Sequence, residues 1–427
     1  MATFDDTIVA LSSGRPPAAV AVVRSSGPHA FAAAERIAGD LPPPRQASLR
    51  RLIDPADGAL IDEALVLRFD APHSATGENI VEYQCHGGRA TVDALISMLR
   101  REPGVRLAEP GEFTRRALAN GRIDLTEAEG LADLLVAETE LQRRSAAARA
   151  GGALRRRLDE WRERLLELAA RAEVAIDYTD EHDEGIEQDL RPEIAQLAAQ
   201  MAGLIDAPRV EPLRDGIRAV IAGPPNAGKS SLINALAQTE RAIVTPISGT
   251  TRDVIEVPLA IGGLPFVLVD TAGLRDTDDA VEAIGVARAH QENRAADILL
   301  WLGSEYDAPS RPGLILLHAK ADLGGVASAR ALAVSTVTMQ GVDELIKRLV
   351  VEAKSLLPQL DQIALDRRQH DLLAGANEAL GRAANLRDHV LIAEELRTAR
   401  EAIDRISGRA GVEELLEALF ARFCLGK

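Results

Sequence analysis

Along the first 120 residues, apolar positions fall in short runs separated by polar or proline-rich breaks. The runs AAVAVVRSS and EALVLRFD are typical of strands, and the proline-rich LPPPR lies between them. The stretch ATVDALISMLR, which follows Gly87 and Gly88, is amphipathic at helical spacing. This pattern predicts a mixed α and β region over 1–120.

From about residue 124 the apolar spacing becomes helical, with arginine and glutamate on the opposite face. This pattern continues to about residue 205, and it returns from about residue 362. The acidic stretch DYTDEHDEGIEQD within it favours a solvated loop over a metal site. One apolar stripe comprises Leu154, Leu158, Trp161, Leu165 and Leu168, and a second comprises Leu396, Ala399, Ile403 and Ile406.

Between these helical regions, short apolar runs alternate with helical patterns. The candidate strands are IRAVIA, VIEVPLAI, LPFVLVD, DILLWLG, GLILLHA and ALAVST. Gly262-Gly263 separates the second run from the third and predicts a hairpin, whereas the remaining runs favour a mostly parallel sheet with helices on both faces. We therefore expect an α/β domain inserted into a helical domain, with boundaries at 1–120, 121–212, 213–355 and 356–427.

The composition limits the function classes. The chain has 427 residues, of which 46% are hydrophobic, enough for two to four domains. Its net charge of −16 excludes a uniformly basic nucleic-acid coat, so an RNA contact would need a local patch. Two cysteines, Cys85 and Cys424, exclude a disulfide scaffold. Because neither a signal-peptide pattern nor a membrane-span pattern is present, we expect a cytoplasmic protein that makes no membrane contact.

The segment GPPNAGKS (223–230) matches the pattern G-x-x-x-x-G-K-[ST] between a predicted strand and a predicted helix. Gly223 and Gly228 allow the loop to point its N–H groups at phosphate oxygens. Lys229 supplies a charge to the outer phosphates, and Ser230 can bind Mg²⁺. The context therefore predicts a nucleotide phosphate site.

Two further motifs follow this loop. SGTTRD (248–253) offers Thr251 to Mg²⁺, and VLVDTAG (267–273) ends a strand with Asp270 and offers the Gly273 N–H to the γ-phosphate. Together the motifs resemble the Ras-like, translation-factor class of GTPases. An ATPase and a non-binding α/β domain remain as alternatives.

Base recognition departs from that class, in which an Asn-Lys-x-Asp tetrad follows the fifth strand. Here the tetrad is Ala319-Lys320-Ala321-Asp322. Asp322 can still accept from the N1 and N2 donors of guanine, and Lys320 can lie along the base. The missing Asn predicts weaker affinity with guanine preference retained, at a cost of about 1–3 kcal/mol. Ser335-Thr336 occupies the place of a further base-contacting loop.

The catalytic group also differs, because Leu274 stands where Ras-type enzymes carry a water-positioning Gln. Asn226 and the loop 245–250 could bind a monovalent cation such as K⁺ in place of an arginine finger. Glu282 could orient the water, although by itself it is typical of a surface helix residue. The segment SEYDAPSRPG is too short for the usual helix between the fourth and fifth strands, which predicts a trimmed domain.

Three longer motifs resemble the MnmE (TrmE) family of tRNA modification GTPases: HSATGENIVEYQCHGG (73–88), PGEFTRRALANGRIDLTEAEGLADLL (110–135) and FCLGK (423–427). The resemblance implies a multidomain fold, α/β plus all-α. It would comprise an N-terminal α+β domain that binds tetrahydrofolate and forms a homodimer, a helical domain, and an inserted Ras-like P-loop GTPase domain.

The resemblance further implies K⁺-stimulated GTP hydrolysis together with the flavoprotein MnmG, in a heterotetramer acting on tRNA. The product would carry a (carboxymethyl)aminomethyl group on C5 of the wobble uridine. The one-carbon unit would come from a 5-formyl or methylene derivative of tetrahydrofolate. Mg²⁺ and K⁺ would be the metal cofactors.

The site residues implied by the resemblance are carried over by position. The folate-binding positions are Arg24, Glu82, Arg122 and Lys427, with Arg122 in place of a common Lys. The K⁺ ligands are Asn226, Thr245, Ile247 and Thr250; the Mg²⁺ ligands are Ser230 and Thr251; the catalytic positions are Glu282 and Cys424. The GTP-binding positions are Asn226, Ala227, Gly228, Lys229, Ser230, Ser231, Thr245, Pro246, Ile247, Ser248, Gly249, Thr250, Thr251, Asp270, Thr271, Ala272, Gly273, Lys320, Asp322, Ser335 and Thr336.

Two other function classes compete with this interpretation. A ribosome-assembly GTPase would share the phosphate motifs but would not need the 73–135 motifs or FCLGK. A folate-dependent enzyme acting on a small metabolite would use the GTPase domain for regulation. The arginines at 143–164 favour a solvated helix face over a tRNA contact, so we expect much of the tRNA affinity to come from the partner protein.

Overall fold

A computed structural model describes residues 4–177, 189–239, 241–242, 255–270, 296–324, 328–359 and 362–410, together with 416, 419–421, 423 and 426. The chain divides into two compact units. The first comprises Met1–Ala132 and Asp404–Lys427, and the second comprises Asp133–Ile403. The predicted boundaries at 120, 212 and 355 remain a prediction.

The first unit contains a six-stranded sheet in the order β3-β4-β5-β2-β1-β6, in which only the β1–β6 pair is parallel. Its strands are β1 (Thr7–Leu11), β2 (Ala18–Ser26), β3 (Ser48–Ile53), β4 (Leu60–Phe69), β5 (Ile80–Gly87) and β6 (Val105–Leu107). Its helices are α1 (Ala30–Ala38), α2 (Arg89–Leu99), α3 (Glu112–Ala119) and the first part of α4 (Leu125–Val136).

Alternation along these strands separates a buried face from an outer face. Val23, Val66 and Tyr83 point into a core shared with α1 and α2. On the outer face, Leu49 of the edge strand β3 lies opposite Leu65 of β4, and the two side chains are 61% and 41% exposed. Helices α1 and α2 therefore cover one face of the sheet. On the other face Phe113 of α3 packs with Ile8 and Ala10, while β3 and β4 keep apolar side chains exposed.

The C-terminal segment packs within the first unit. Leu419, Phe420 and Phe423 are buried in one cluster with Leu125 and Ala128 of α4. This contact explains why the FCLGK segment follows a run of apolar residues, since their burial joins the end of the chain to α4.

The second unit combines helices with a second sheet. Its remaining helices are α5 (Glu140–Ala150), α6 (Ala153–Asp177), α7 (Arg191–Ile205), α8 (Glu211–Arg214), α9 (Lys229–Thr239), α10 (Val342–Leu356), α11 (Arg367–Ala383) and α12 (His389–Ser407), the last of which extends into the first unit. Both predicted apolar stripes are confirmed: every residue of the first is at most 3% exposed in α6, and every residue of the second at most 1% in α12.

The segments that enter and leave the second sheet run side by side. The Val210 N–H donates to the Leu365 carbonyl at 3.1 Å, and the Arg367 N–H donates to Oε1 of Glu211 at 2.6 Å. Such adjacent crossings are what an inserted domain requires, because its two ends must meet the host chain at one place.

The second sheet has the order β13-β12-β11-β7-β10-β9-β8. Its strands are β7 (Ile217–Ala222), β8 (Arg241–Ala242), β9 (Ile255–Ile261), β10 (Leu264–Asp270), β11 (Ile298–Trp301), β12 (Leu314–Ala319) and β13 (Leu332–Val334). The predicted hairpin is confirmed, since β9 and β10 pair antiparallel around Gly262 and Gly263, both at positive φ. The other described pairs that include β7 and β10–β13 are parallel, as predicted.

Helices α9 and α10 pack on one face of this sheet, against Ile217, Ala219 and Ile221 of β7. The opposite face carries Val220 and Val269. Helices on both faces were expected, but residues 271–295 lie outside the described part of the chain.

The trimmed connection is confirmed. Between β11 and β12 the chain forms only a 3₁₀ turn at Glu305–Asp307. About a dozen residues connect the end of β11 to the start of its parallel neighbour β12, which leaves too few for a full helix. In the described part of the chain, no helix is both long and apolar enough to cross a membrane.

Candidate functional site

The phosphate loop connects β7 to α9 as the motif predicts. Gly223 and Gly228 have φ of +150° and +98°, and an added Cβ at Gly223 would crowd the backbone of Leu302 at 3.1 Å. Asn226 takes the left-handed conformation at φ +60°, which asparagine tolerates better than most residues. Helix α9 begins at Lys229, so its positive end faces the loop.

Lys229 and Ser230, the last two residues of the motif, make hydrogen bonds within the site. Lys229 donates from Nζ to the carbonyls of Gly223 at 3.1 Å and Pro224 at 2.9 Å. Ser230 donates from Oγ to Oδ2 of Asp270 at 2.5 Å. Asp270 is buried at the end of β10, beside β7. The sheet therefore brings together two residues that lie forty positions apart in the chain.

The Ser230–Asp270 pair fits Mg²⁺, because hydroxyl and carboxylate oxygens are the donors that this ion takes in phosphate sites. Among the described residues no group of three His, Cys, Asp or Glu side chains could hold a metal by itself. A magnesium ion here would accordingly use nucleotide phosphates and water for its remaining positions.

A cavity of about 290 Å³ opens beside the loop. Its walls combine residues from the phosphate loop, from the 319–323 segment and from the loop after β13. They include Ala227, Gly228, Ser231, Ala319, Lys320, Asp322, Leu323, Thr336 and Val337. The predicted base-contacting residues Lys320, Asp322 and Thr336 thus share one cavity with the loop.

Ser335 lies behind Asp322 and is fully buried. Its Oγ donates to Oδ1 of Asp322 at 2.6 Å and accepts from the N–H groups of Val337 at 3.3 Å and Thr338 at 3.1 Å. Because those N–H donors occupy the acceptor side of the hydroxyl, its proton is directed to the carboxylate. Ser335 therefore orients Asp322, and it does not itself line the cavity.

Restoring the missing amide should strengthen nucleotide binding. Ala319 lines the cavity, so Ala319→Asn would return a hydrogen-bonding side chain to it, with GDP and GTP affinity rising about 5- to 100-fold. Titration with a fluorescent GDP analogue measures the change. Ala321→Asn introduces the same group outside the cavity wall and should leave affinity unchanged. An equal gain in both variants would contradict the assignment.

Several predicted site residues lie outside the described part of the chain, so their positions stay predictions. They are Thr245, Pro246, Ile247, Ser248, Gly249, Thr250, Thr251, Thr271, Ala272, Gly273, Glu282, Cys424 and Lys427.

In the first unit, two predicted folate positions form one pair. Arg24 of β2 lies directly opposite Glu82 of β5. Oε1 of Glu82 accepts from Nε of Arg24 at 2.9 Å and lies 2.7 Å from its Nη2. Within the described residues, Oε2 of Glu82 accepts no protein hydrogen bond. Both side chains are partly exposed, so the pair presents a carboxylate oxygen and a guanidinium edge to a ligand.

Arg122 and the chain end lie near other parts of the same sheet. Arg122 donates from Nε to the Ser74 carbonyl at 3.1 Å, and among the described residues no hydrogen bond or ion pair joins it to Arg24 or Glu82. The Gly426 carbonyl accepts from Oγ of Ser12 at 2.9 Å. Since β1 pairs with β2 up to Leu11, this contact places the chain end beside the strand that carries Arg24.

A buried charge network lies in the first unit that the sequence patterns did not indicate. Arg116 is fully buried and binds Asp6, Glu78 and Glu112, while Arg106 binds Asp6 and Glu112. The motif GEFTRR contains two of these charges, but a local pattern does not separate a buried ion pair from a solvated one.

The network predicts acid sensitivity of the first unit. Burial alone would raise the pKa of the Asp6 and Glu112 carboxyls, but hydrogen bonds from Arg116 and Arg106 outweigh it and hold both pKa values below the ordinary range. A carboxyl with a lowered folded pKa stabilises the fold above its unfolded pKa of about 4, and loses that contribution as pH falls through the folded value. Circular dichroism from pH 7 to 2 should show loss of structure below about pH 4. Glu112→Gln should flatten this fall, and an unchanged pH profile would contradict the interpretation.

Comparison with known proteins identifies two domain families in the chain. The family model described as the MnmE helical domain matches residues 125–424, and that of the GTP-binding protein TrmE N-terminus matches residues 7–122.

Three curated relatives carry the name tRNA modification GTPase MnmE. The protein of Erythrobacter litoralis is 51% identical over 99% of this chain and 100% of its own length. That of Rhizorhabdus wittichii is 53% identical over 100% and 98%, and that of Novosphingobium aromaticivorans is 49% identical over 99% and 100%. The chain belongs to the MnmE family of tRNA modification GTPases.

Proposed function

We propose that this chain acts with the flavoprotein MnmG to add a (carboxymethyl)aminomethyl group to C5 of the wobble uridine of certain tRNAs. The one-carbon unit comes from a tetrahydrofolate derivative, and the reaction is coupled to K⁺-stimulated GTP hydrolysis in the cytoplasm. Residues 1–120 bind folate and dimerise, 213–355 hydrolyse GTP, and 121–212 with 356–427 form the helical domain. The observation that carries the proposal is the Lys229–Ser230–Asp270 constellation in a chain that also holds the Arg24–Glu82 pair.

The nucleotide site supplies binding and positioning. The loop N–H groups and Lys229 hold the phosphates. Ser230 and Thr251 would bind Mg²⁺, with Asp270 as a direct or outer partner, and the ion would neutralise charge on the transferred phosphoryl group. Asp322 accepts from the N1 and N2 donors of guanine, and adenine has no matching pair of donors. The buried Ser335 fixes that carboxylate, which supports a preference for GTP over ATP.

A potassium ion beside the phosphate loop depends on Asn226 in this proposal. Asn226→Gly keeps the loop backbone, because glycine also adopts φ +60°, and removes only the carboxamide. We expect stimulation of GTP hydrolysis by KCl over NaCl to fall close to onefold, with GDP affinity unchanged within about twofold. Steady-state phosphate release measures this. Asn234→Ala on the exposed face of α9 is the control, and full K⁺ stimulation in Asn226→Gly would remove the assignment.

The Arg24–Glu82 pair supports folate binding. The 2-amino-4-oxo ring of a pterin offers two N–H donors beside a carbonyl, so a carboxylate next to a guanidinium is complementary to it. In this proposal Oε2 of Glu82, which Arg24 does not use, accepts from the donors, and the guanidinium of Arg24 donates to the carbonyl.

The outer face of the first sheet supports a homodimer. Leu49 and Leu65 lie opposite each other and are exposed, next to Gln84 on β5. Apolar side chains clustered on a sheet face are typical of an interface.

Three arginines of the helical region are paired with carboxylates. On α6, Arg157 lies 3.2 Å from Glu160, while Arg164 and Arg171 lie 3.2 and 2.8 Å from Glu193. This supports the expectation that MnmG supplies much of the tRNA affinity.

Reconstitution tests the whole proposal. Purified chain, MnmG with its flavin, methylenetetrahydrofolate, glycine or ammonium as the amine donor, GTP, MgCl₂, KCl and unmodified tRNA are combined, and the nucleosides are analysed by mass spectrometry. Lys229→Ala should lose both GTP hydrolysis and modification, whereas Arg24→Ala should lose modification and keep hydrolysis. Wild-type hydrolysis without any modified uridine would refute the proposal.

A further inference from the structure

The guanidinium of Arg24 is held from two sides. Glu82 holds its edge through a single oxygen, Oε1, which lies within 2.9 Å of both Nε and Nη2. On the other side, Cζ of Arg24 lies over the ring of Phe113, 5.7 Å from the ring centroid. One carboxylate oxygen fixes the position of the guanidinium edge but leaves its plane free to tilt, since a two-oxygen fork is absent. The aromatic face supplies the missing restraint.

Phe113 is itself held firmly. It is 3% exposed and packs in one cluster with Ile8, Ala10 and Ala108. It follows Glu112 in the first turn of α3, whose carboxylate lies among Arg106 and Arg116.

The strand register also places this cluster beside Arg24. Ala10 of that cluster lies directly opposite Arg24 in the β1–β2 ladder. The ring is therefore carried by a helix anchored through buried charges, and it meets Arg24 at a point that the ladder also fixes.

We propose that Phe113 is a positioning residue of the folate site, which sets the plane of the Arg24 guanidinium so that its free edge and Oε2 of Glu82 face one ligand. This inference rests on the proposed folate binding. Phe113 itself is almost inaccessible and acts on the ligand through Arg24.

Leucine at position 113 keeps an apolar side chain and removes the ring face. We expect Phe113→Leu to bind 5-formyltetrahydrofolate about two- to fivefold more weakly by calorimetry, which is the range of a partly exposed cation–π contact. Phe31→Leu is the matched control, because Phe31 stacks on Arg68 at 4.8 Å in the same domain. That control should bind folate as the wild type does.

A double-mutant cycle separates positioning from general loosening. In an Arg24→Ala background, Phe113→Leu should cause no further loss of folate affinity. An unchanged affinity in Phe113→Leu, an equal loss on the Arg24→Ala background, or an equal loss in Phe31→Leu would each overturn the proposal.

A readout without folate keeps the inference separate from the proposed function. The Nε–H signal of Arg24 in ¹⁵N-arginine spectra should carry a ring-current shift that Phe113→Leu removes and Phe31→Leu keeps. If the wild type binds no folate, the proposed function fails while this signal still decides whether Phe113 orients Arg24. If Phe113→Leu does not fold, Phe113→Met also removes the ring and replaces it in every measurement.

Discussion

Replacing Arg116 by methionine is expected to destabilise the first unit by about 3–5 kcal/mol, the usual cost of removing one partner from a buried ion network. Methionine has a comparable length and no charge. Its introduction would leave the carboxylates of Asp6, Glu78 and Glu112 without the cation that now lies 2.7 to 3.1 Å from each. The cost falls mainly on Glu112, whose side chain is 1% exposed and cannot regain water, and Arg106 remains as its other cation.

Hydrogen–deuterium exchange of peptides covering 105–120 measures this change locally. Both tryptophans, Trp161 and Trp301, belong to the second unit and would not report it. Arg115→Met is the matched control at the neighbouring position. The Arg115 side chain is 42% exposed, and its removal should cost less than about 1 kcal/mol. Equal effects of the two substitutions would show that burial of the network does not determine its contribution.

Asp322→Asn is expected to weaken GTP binding by about 10²- to 10⁴-fold. One of the two charge-assisted hydrogen bonds becomes a donor facing a donor and the other loses its charge, at roughly 1.5–3 kcal/mol each. An amide presents one donor and one acceptor where guanine requires two acceptors. Xanthine has a carbonyl in place of the 2-amino group and can accept from the new amide. The variant should therefore gain affinity for xanthosine triphosphate while it loses affinity for GTP.

Competition against a fluorescent GDP analogue on wild type, or a fluorescent xanthosine analogue on the variant, measures both affinities. Asp307→Asn makes the same chemical change in the 3₁₀ turn outside the cavity and should alter neither. Ser335→Ala should cost only about 2- to 10-fold, since it frees the carboxylate without removing it. Undiminished GTP binding in Asp322→Asn would mean that the base lies elsewhere.

Much of the local structure follows from contiguous sequence. The stripe that includes Leu154 and Trp161 defines α6, and Gly262-Gly263 defines the β9–β10 turn. The phosphate loop is equally local, because its glycines, Lys229 and Ser230 lie within eight consecutive residues of one strand–loop–helix unit. The shortened β11–β12 connection was visible as a count of residues.

The sequence by itself indicated the helical regions, the strands marked by its apolar runs, the phosphate loop and the family motifs, because periodicity, turn residues and short motifs act over neighbouring positions. It did not indicate β1, β3, β5 or β6. Only the tertiary structure decided which charges are buried and which orient others. Arg116 meets Asp6 across 110 positions, and Arg24 meets Phe113 from a different element. Ser335 likewise reaches Asp322 only because β12 and β13 pair. Such contacts depend on how distant elements pack, and no local pattern encodes the burial that gives them their energy.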